Sequence, residues 1–274
     1  VNKDVNKALY YYKLAAKQNN EIAQYLIGNI YKFDIIDMEK AIYYYSLSAD
    51  QNFAPAQHQL GMIFYNGKNV KIDINKAIYY LTQSAKQNDL NSQIVLSVIY
   101  YEGNYIKQDI NKSIYYLKKA SDQNDCGAQY LLGLIYYEGI YVVRDIYTAI
   151  HYLTLSAKHN HADSYNRLGF IYYEGKYIKR DITKAIFYLK ESSKLNDSTA
   201  QNNLGKIYYD GKYVSRDINK SLYYFSQSAK NNNHYSQFML GKIYFQGKFV
   251  PQNTKLAIDY FLRSANFNNS QAQA

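Results

Sequence analysis

One period runs through this chain. A leucine-like residue is followed by Gly61, Ser97, Gly133, Gly169, Gly205 and Gly241, each 36 residues after the last. A second glycine keeps the same step at Gly67, Gly103, Gly139, Gly175, Gly211 and Gly247. An acid follows at Asp73, Asp109, Asp145, Asp181 and Asp217, with Asn253 last, and then a small residue at Ala77, Ser113, Ala149, Ala185, Ser221 and Ala257. A period of roughly 20–50 residues marks stacked units, each too small to bury its apolar face alone.

Each unit reads as two helices. Ala128, Leu131, Leu132, Ile135 and Tyr136 recur at i, i+3, i+4, i+7 and i+8, which is one apolar helical face. Gly139 then suits a left-handed C-terminal cap, a conformation costly for residues with a Cβ. Asp145 is placed to cap the N-terminus of the next helix, whose face is Ala149, Tyr152, Leu153, Ser156 and Ala157. First helices are expected near 22–32, 54–66, 91–102, 127–138, 163–174, 199–210 and 235–246. Second helices are expected to start near 4, 37, 73, 109, 145, 181, 217 and 253. Pro55 and Pro251 respect these boundaries, one in a first turn and one in a loop. The small residues at Gly133, Ala149 and Ala157 would let two backbones approach closely around bulky tyrosines. The chain opens on a second helix and residues 270–273 begin another first helix, so one array over residues 1–274, about seven and a half units, is expected to continue at both ends.

Composition limits the alternatives. Tyrosine supplies 35 of 274 residues, so the core must use it. One cysteine excludes an intrachain disulfide framework and a cysteine-based zinc site. No apolar run approaches the ~18 residues of a membrane span. Thirty-two basic against 22 acidic residues give a formal charge of +10, which suits an acidic partner, nucleic acid or an anionic membrane surface without choosing among them. Lys, Asn, Ile and Tyr are also what AT-rich codons specify, so compositional drift competes as an explanation of both the charge and the tyrosines.

The strings Ala128-Gln129, Leu132-Gly133, Tyr136 and Gly139, with Asp181, Lys184-Ala185 and Tyr188, make the chain resemble the Sel1-like repeat family, relatives of the tetratricopeptide repeats. The resemblance spans essentially the whole chain. It implies an all-α, right-handed solenoid of antiparallel helix pairs with a groove. It also implies an adaptor role in signalling complexes or in endoplasmic-reticulum-associated degradation; the lone Cys126 argues against the disulfide-rich secreted branch. Two departures stand out. The family's second loop glycine is replaced by Asn69, Tyr105, Tyr141, Tyr177, Tyr213 and Phe249. The step from Gly28 to Gly61 is only 33, with no capping glycine after Tyr31, so the stacking is expected to be irregular there.

Variable positions on the first helices offer a groove. They are Gln59, Met62, Asn66; Val95, Val98, Glu102; Leu131, Leu134, Glu138; Arg167, Phe170, Glu174; Asn203, Lys206, Asp210; and Met239, Lys242, Gln246. Spacings of 3 and 4 put each trio on one side of its helix. The middle trios are apolar and the later ones polar, which suits an extended peptide or partner helix; simple packing between units explains the apolar members equally well. Glu102, Glu138, Glu174 and Asp210 form an acidic row beside the bases Lys107, Arg144, Lys176, Lys179, Arg180, Lys212 and Arg216. Mutual neutralisation accounts for both rows, and a basic edge that receives an acidic or phosphorylated partner is the sharper reading. The loop aromatics suggest base stacking, but Val70, Ile106, Val142, Ile178, Val214 and Val250 follow them, so the loops are expected to tuck inward instead.

Catalytic and metal constellations are close to absent. The histidines are His58, His151, His159, His161 and His234; His159-Asn160-His161 lies in a connection with no carboxylate or thiol pattern around it, surface histidines are expected, and Cys126 has no local activator. Asn111, Asn196, Asn219 and Asn268 match the glycosylation triplet, as an asparagine-rich chain will by chance. The expected function is a non-catalytic scaffold or adaptor that binds other proteins, without cofactor, metal or small-molecule substrate, in the cytoplasm. The alternatives are the regulatory array of a larger signalling protein such as a kinase, an endoplasmic-reticulum-associated degradation adaptor and, less favoured, a binder of single-stranded nucleic acid.

Overall fold

A computed structural model describes residues 4–265. The chain divides into two compact units, Val1–Ala128 and Gln129–Ala274, each taken here by itself. Unit 1 runs α1 (Val5–Ala16), α2 (Glu21–Asn29), a π-helical segment (Ile30–Ile35), α3 (Met38–Asp50), α4 (Ala54–Asn66), α5 (Ile74–Lys86), α6 (Leu90–Glu102) and α7 (Ile110–Asp122). Unit 2 takes all but the first turn of α8 (Cys126–Glu138), then α9 (Ile146–Lys158), α10 (Ala162–Glu174), α11 (Ile182–Lys194), α12 (Ser198–Asp210), α13 (Ile218–Lys230), α14 (His234–Gln246) and α15 (Thr254–Ala265). All described secondary structure is helical and falls where the period places it. The first helix expected at 270–273 lies outside the described residues.

The helix ends are set by the residues read from the sequence. Asp145 and Asp181 are N-caps, their carboxylates accepting amide hydrogens from Thr148 at 3.1 Å and Lys184 at 2.9 Å. Gly139 adopts φ +62° and its amide donates to the Ile135 carbonyl. The six-residue loop that follows closes when the Asp145 amide donates to the Tyr136 carbonyl at 3.1 Å, and its Asp181 counterpart reaches Tyr172 at 3.0 Å. The loop aliphatics do tuck inward: Val70, Ile106, Ile178, Val214 and Val250 pack against the core clusters.

Within a pair, glycine permits the crossing. A Cβ on Gly133 would lie 2.6 Å from Leu153 Cγ and 3.3 Å from the Ala149 carbonyl oxygen, so the helices touch backbone to side chain. Leu60, Leu96, Leu132, Leu168, Leu204 and Leu240 are fully buried beside these crossings, each worth about 1.5–3 kcal/mol on burial. The tyrosines close the other side of each pair as stacked rings: Tyr136 on Tyr152, Tyr172 on Tyr188 and Tyr208 on Tyr224 lie within 14° of parallel.

Between pairs the alanine–glutamine dipeptide supplies a polar tie. Buried Gln57, Gln93 and Gln237 donate from Nε2 to Ala49, Ala85 and Ala229 carbonyls at the end of the preceding second helix, 3.2–3.3 Å away. Gln57 and Gln93 then accept from Gln87 and Gln123 of the following turn, at 2.8 and 2.9 Å. A buried amide satisfied on both sides fixes register, because misplacing it would strand polar groups.

Candidate protein-binding face

The variable positions of the first helices meet different fates in the two units. In unit 1, Val95 packs against the core around Leu81 and Leu96, and Val98 is half-buried. Gln59 accepts a 2.6 Å hydrogen bond from Lys32 Nζ. These residues are largely spent on packing.

In unit 2 the same positions open outward. Leu131 on α8 is 41% exposed and Phe170 on α10 is 38% exposed, while Leu134 is half-buried. Phe170 and Tyr173 from α10, with Asn203, Lys206 and Ile207 from α12, line a cavity of about 100 Å³ floored by Leu189. Asn203 is oriented by a 3.2 Å bond from its Nδ2 to Asn166 Oδ1. Arg167 stands over the Tyr137 ring at 5.6 Å. Lys206 and Lys242 are exposed; Met239 is drawn into the core beside Phe225 and Leu240. Phe170, Asn203 and Lys206 are therefore brought together, whereas Met239 and the unit 1 valines are not.

The basic loop edge has a structure the sequence did not disclose. Arg144 donates from Nε to the Tyr137 carbonyl at 2.9 Å and from Nη2 to Glu138 at 2.8 Å, while its guanidinium lies 4.3 Å over the next loop's Tyr177. Arg180 repeats this on Tyr173, Glu174 and Tyr213, and Arg216 on Tyr209, Asp210 and Phe249. Each arginine thus satisfies orphan carbonyls at a helix C-terminus and staples one repeat to the next. Mutual neutralisation of the two charged rows gives way to this arrangement: among the described ion pairs, none joins Glu102, Glu138, Glu174 or Asp210 to these bases. The acids do bear on tyrosines. Burial first, then the Glu174 carboxylate, which accepts from Tyr137 Oη at 3.2 Å, pushes the Tyr137 hydroxyl up to about 12. Lys176 and Lys212 sit 5.0 and 5.1 Å from the Tyr177 and Tyr213 rings, so these rings already carry two cations each and offer bases little to stack on. Lys107 and Lys179 are exposed.

One cluster escaped the sequence reading because its members are far apart in the chain. His58 Nδ1 lies 2.9 Å from Ser92 Oγ and 3.3 Å from Asp89 Oδ2, in unit 1. Burial would raise the Asp89 carboxyl, but bonds from His58 and from the Ser92 hydroxyl and amide outweigh it and hold the group well below the usual carboxylate range. Both Ser92 and Asp89 meet the same imidazole nitrogen, so no relay from acid through base to nucleophile is formed. His161 stands at the α10 N-cap beside Ser164. Among the described residues, no group of three or more His, Cys, Asp or Glu is placed to hold a metal ion, and no helix is long and apolar enough to cross a membrane.

Comparison with known proteins agrees with this architecture. Among solved structures, the chain is similar to a protective antigen of uropathogenic Escherichia coli strains that displays an SLR fold, with 30% identity and a TM-score of 0.84 over 97% of this chain. It spans 57% of that protein's length. A Sel1 repeat protein from Oxalobacter formigenes matches in fold, at 24% identity and TM-score 0.81, over 98% of this chain and 79% of its own. No curated protein sequence matches significantly. Sel1-repeat proteins are typically protein-interaction scaffolds rather than catalysts. The Sel1 repeat model matches residues 1–20, 22–53, 54–89, 90–125, 127–161, 162–197, 198–233 and 234–266, and the chain belongs to the Sel1 repeat family.

Proposed function

We propose that this chain is a non-catalytic scaffold that captures a segment of another protein on the first-helix face of unit 2. The observation that carries this reading is the cavity lined by Phe170, Tyr173, Asn203 and Lys206. It combines an exposed apolar wall with an oriented amide and an unburied ammonium, as side-chain recognition requires. Arg167, Lys206 and Lys242 stand on the successive first helices α10, α12 and α14, and Leu131 and Leu134 on α8 add apolar surface. A partner segment with one bulky apolar side chain and neighbouring carboxylates or a phosphate matches that order. The apolar residue fills the cavity and the anion meets Lys206 or Lys242.

The test is affinity capture followed by photo-crosslinking from a reactive residue placed at Phe170. Paired Arg167→Glu and Lys206→Glu changes, and separately Leu131→Ser with Leu134→Ser, are expected to abolish the crosslinked partner while the helical circular dichroism stays unchanged. Full capture by both folded variants would remove the groove from the account.

A further inference from the structure

One loop of unit 2 differs from the others in a way that packing does not explain. Ile140 is 71% exposed, Val143 90% and Tyr147 77%. At the equivalent places the following repeats carry Lys176, Lys212 and Lys248; Lys179, Ser215 and Pro251; and Thr183, Asn219 and Lys255. The fold tolerates polar residues at all three positions, so the apolar ones serve no requirement of the repeat. Leaving them in water forgoes stabilisation, and a cluster of exposed apolar side chains rimmed by charge marks a docking surface.

Tyr147 also lines a cleft. Tyr147 and Ile150 from α9, Tyr172 from α10, and Ile178, Lys179 and Lys184 from the following loop and helix line an open depression of roughly 670 Å³. Its walls are aromatic and aliphatic, and its rim carries three cations against one carboxylate. Lys184 is held over the Tyr172 ring at 5.1 Å and lies 3.7 Å from Asp181, while the Arg180 staple fixes the far side. Two of the three rim cations are therefore held in place, and the open cleft has room for side chains of a partner.

We infer that Ile140, Val143, Tyr147 and the adjoining cleft form a second docking surface, for an acidic amphipathic segment of a partner protein. Bulky apolar side chains enter beside Tyr147, Ile150 and Ile178, and carboxylates meet Lys179 and Lys184. An open cleft with cations at its rim receives side chains projecting from a peptide, whereas a lipid surface would lie flat across the loop tip. The surface is separate from the first-helix face: it is made of loops, second helices and Tyr172, which stands on the side of α10 stacked against Tyr188 of α11, and its failure leaves the groove reading standing.

The probe is a displayed library of random short peptides, selected on the whole chain and counter-selected on Ile140→Lys/Val143→Lys/Tyr147→Asn. Each replacement is a residue other repeats carry at that place, so the variant is expected to keep its helical spectrum and melting temperature. Recovered peptides should combine acidic with bulky apolar residues. They should bind the triple variant about tenfold or more weakly, lose affinity with Lys179→Glu, and be indifferent to Lys206→Glu. Recovery of no peptide that distinguishes the two proteins, or of peptides without acidic residues, overturns the proposal. So does sedimentation with phosphatidylserine vesicles that the triple variant alone loses, since that assigns the patch to a membrane.

Discussion

In unit 1 the step from Gly28 to Gly61 is 33 residues and one helix crossing carries Ser97, whereas in unit 2 the step is 36 throughout and every crossing carries glycine. The short repeat keeps its closing hydrogen bond all the same: the Asp37 amide donates to the Tyr31 carbonyl at 2.8 Å, the counterpart of Asp145 to Tyr136. With three residues missing, the end of the first helix widens into the π-helical segment, and the chain turns at Ile36 instead of a glycine. Tyr31 still stacks on Tyr44 within 10° of parallel. At its crossing Tyr45 replaces leucine and is fully buried against Gly28, its hydroxyl donating to Asn29 at 2.7 Å. Ring stacking and loop closure are thus the fixed parts of the repeat, and loop length is the part that gives way.

The Ser97 crossing shows what a Cβ does there. Ser97 Oγ turns back to the Ile94 carbonyl at 2.6 Å, and Ser113 Oγ on the facing helix is buried without a hydrogen-bond partner. In unit 2 the counterpart Ser221 donates to the Gly205 carbonyl at 2.9 Å. One small side chain is absorbed at the loss of one hydrogen bond. Valine adds two methyl groups where Leu153 Cγ already sits 2.6 Å from a would-be Cβ. Gly133→Val is therefore expected to destabilise unit 2 by ~3 kcal/mol or more, through overpacking at a backbone crossing. Gly133→Ser should cost visibly less, as Ser97 implies. Denaturant unfolding of the two variants measures the difference, and equal midpoints would break the comparison.

Unit 1 has Ile72 and Gln108 where unit 2 has Arg144, Arg180 and Arg216, with Gln252 in its last repeat. Gln108 Nε2 reaches the Tyr101 carbonyl, so the glutamine keeps one carbonyl contact of the staple. Arg180→Ala is expected to cost about 1–2 kcal/mol, from two carbonyl bonds and the contact with Tyr213. Arg180→Gln should recover part of this. Hydrogen exchange along α10 and the following loop resolves the three proteins, and identical protection in all of them would reduce the staple to an incidental contact.

The fold was legible because its signals are local and repeated. Gly139, Asp145 and the apolar faces of α8 and α9 each report on their own few residues, and the period multiplies them. What stayed hidden depends on pairs distant in the chain or on one side chain serving two repeats. Arg144 reads as a surface charge until its carbonyl and ring partners are seen, and His58 meets Asp89 only through the stacking of α4 on α6. The asparagines went unread for another reason. Asn19, Asn52, Asn88, Asn124, Asn160, Asn196 and Asn232 all hold positive φ, between 58° and 65°, at the turns between pairs. Asparagine accepts that conformation more readily than other residues with a Cβ. Codon bias alone therefore does not account for them. For the groove candidates, the spacing could not tell which members open outward, because exposure of Phe170 and packing of half-buried Met239 follow from neighbouring helices.

Those asparagines sharpen the comparison at its smallest effect. Ile36 holds φ +62° in unit 1, the conformation that asparagine or glycine takes at every other described turn of this kind. It is 73% exposed, so its side chain gains little from packing. A β-branched residue in the left-handed region carries a cost on the order of 1–2 kcal/mol. Replacing it with glycine would relieve the strain but add freedom to the unfolded chain, which offsets part of the gain. Asparagine avoids that loss. Ile36→Asn is accordingly expected to stabilise unit 1 by roughly 0.5–1 kcal/mol, read as slower amide exchange across the π-helical segment and the start of α3. Faster exchange there would mean that Ile36 is held by contacts worth more than its strain, and that the short repeat is built around that isoleucine rather than despite it.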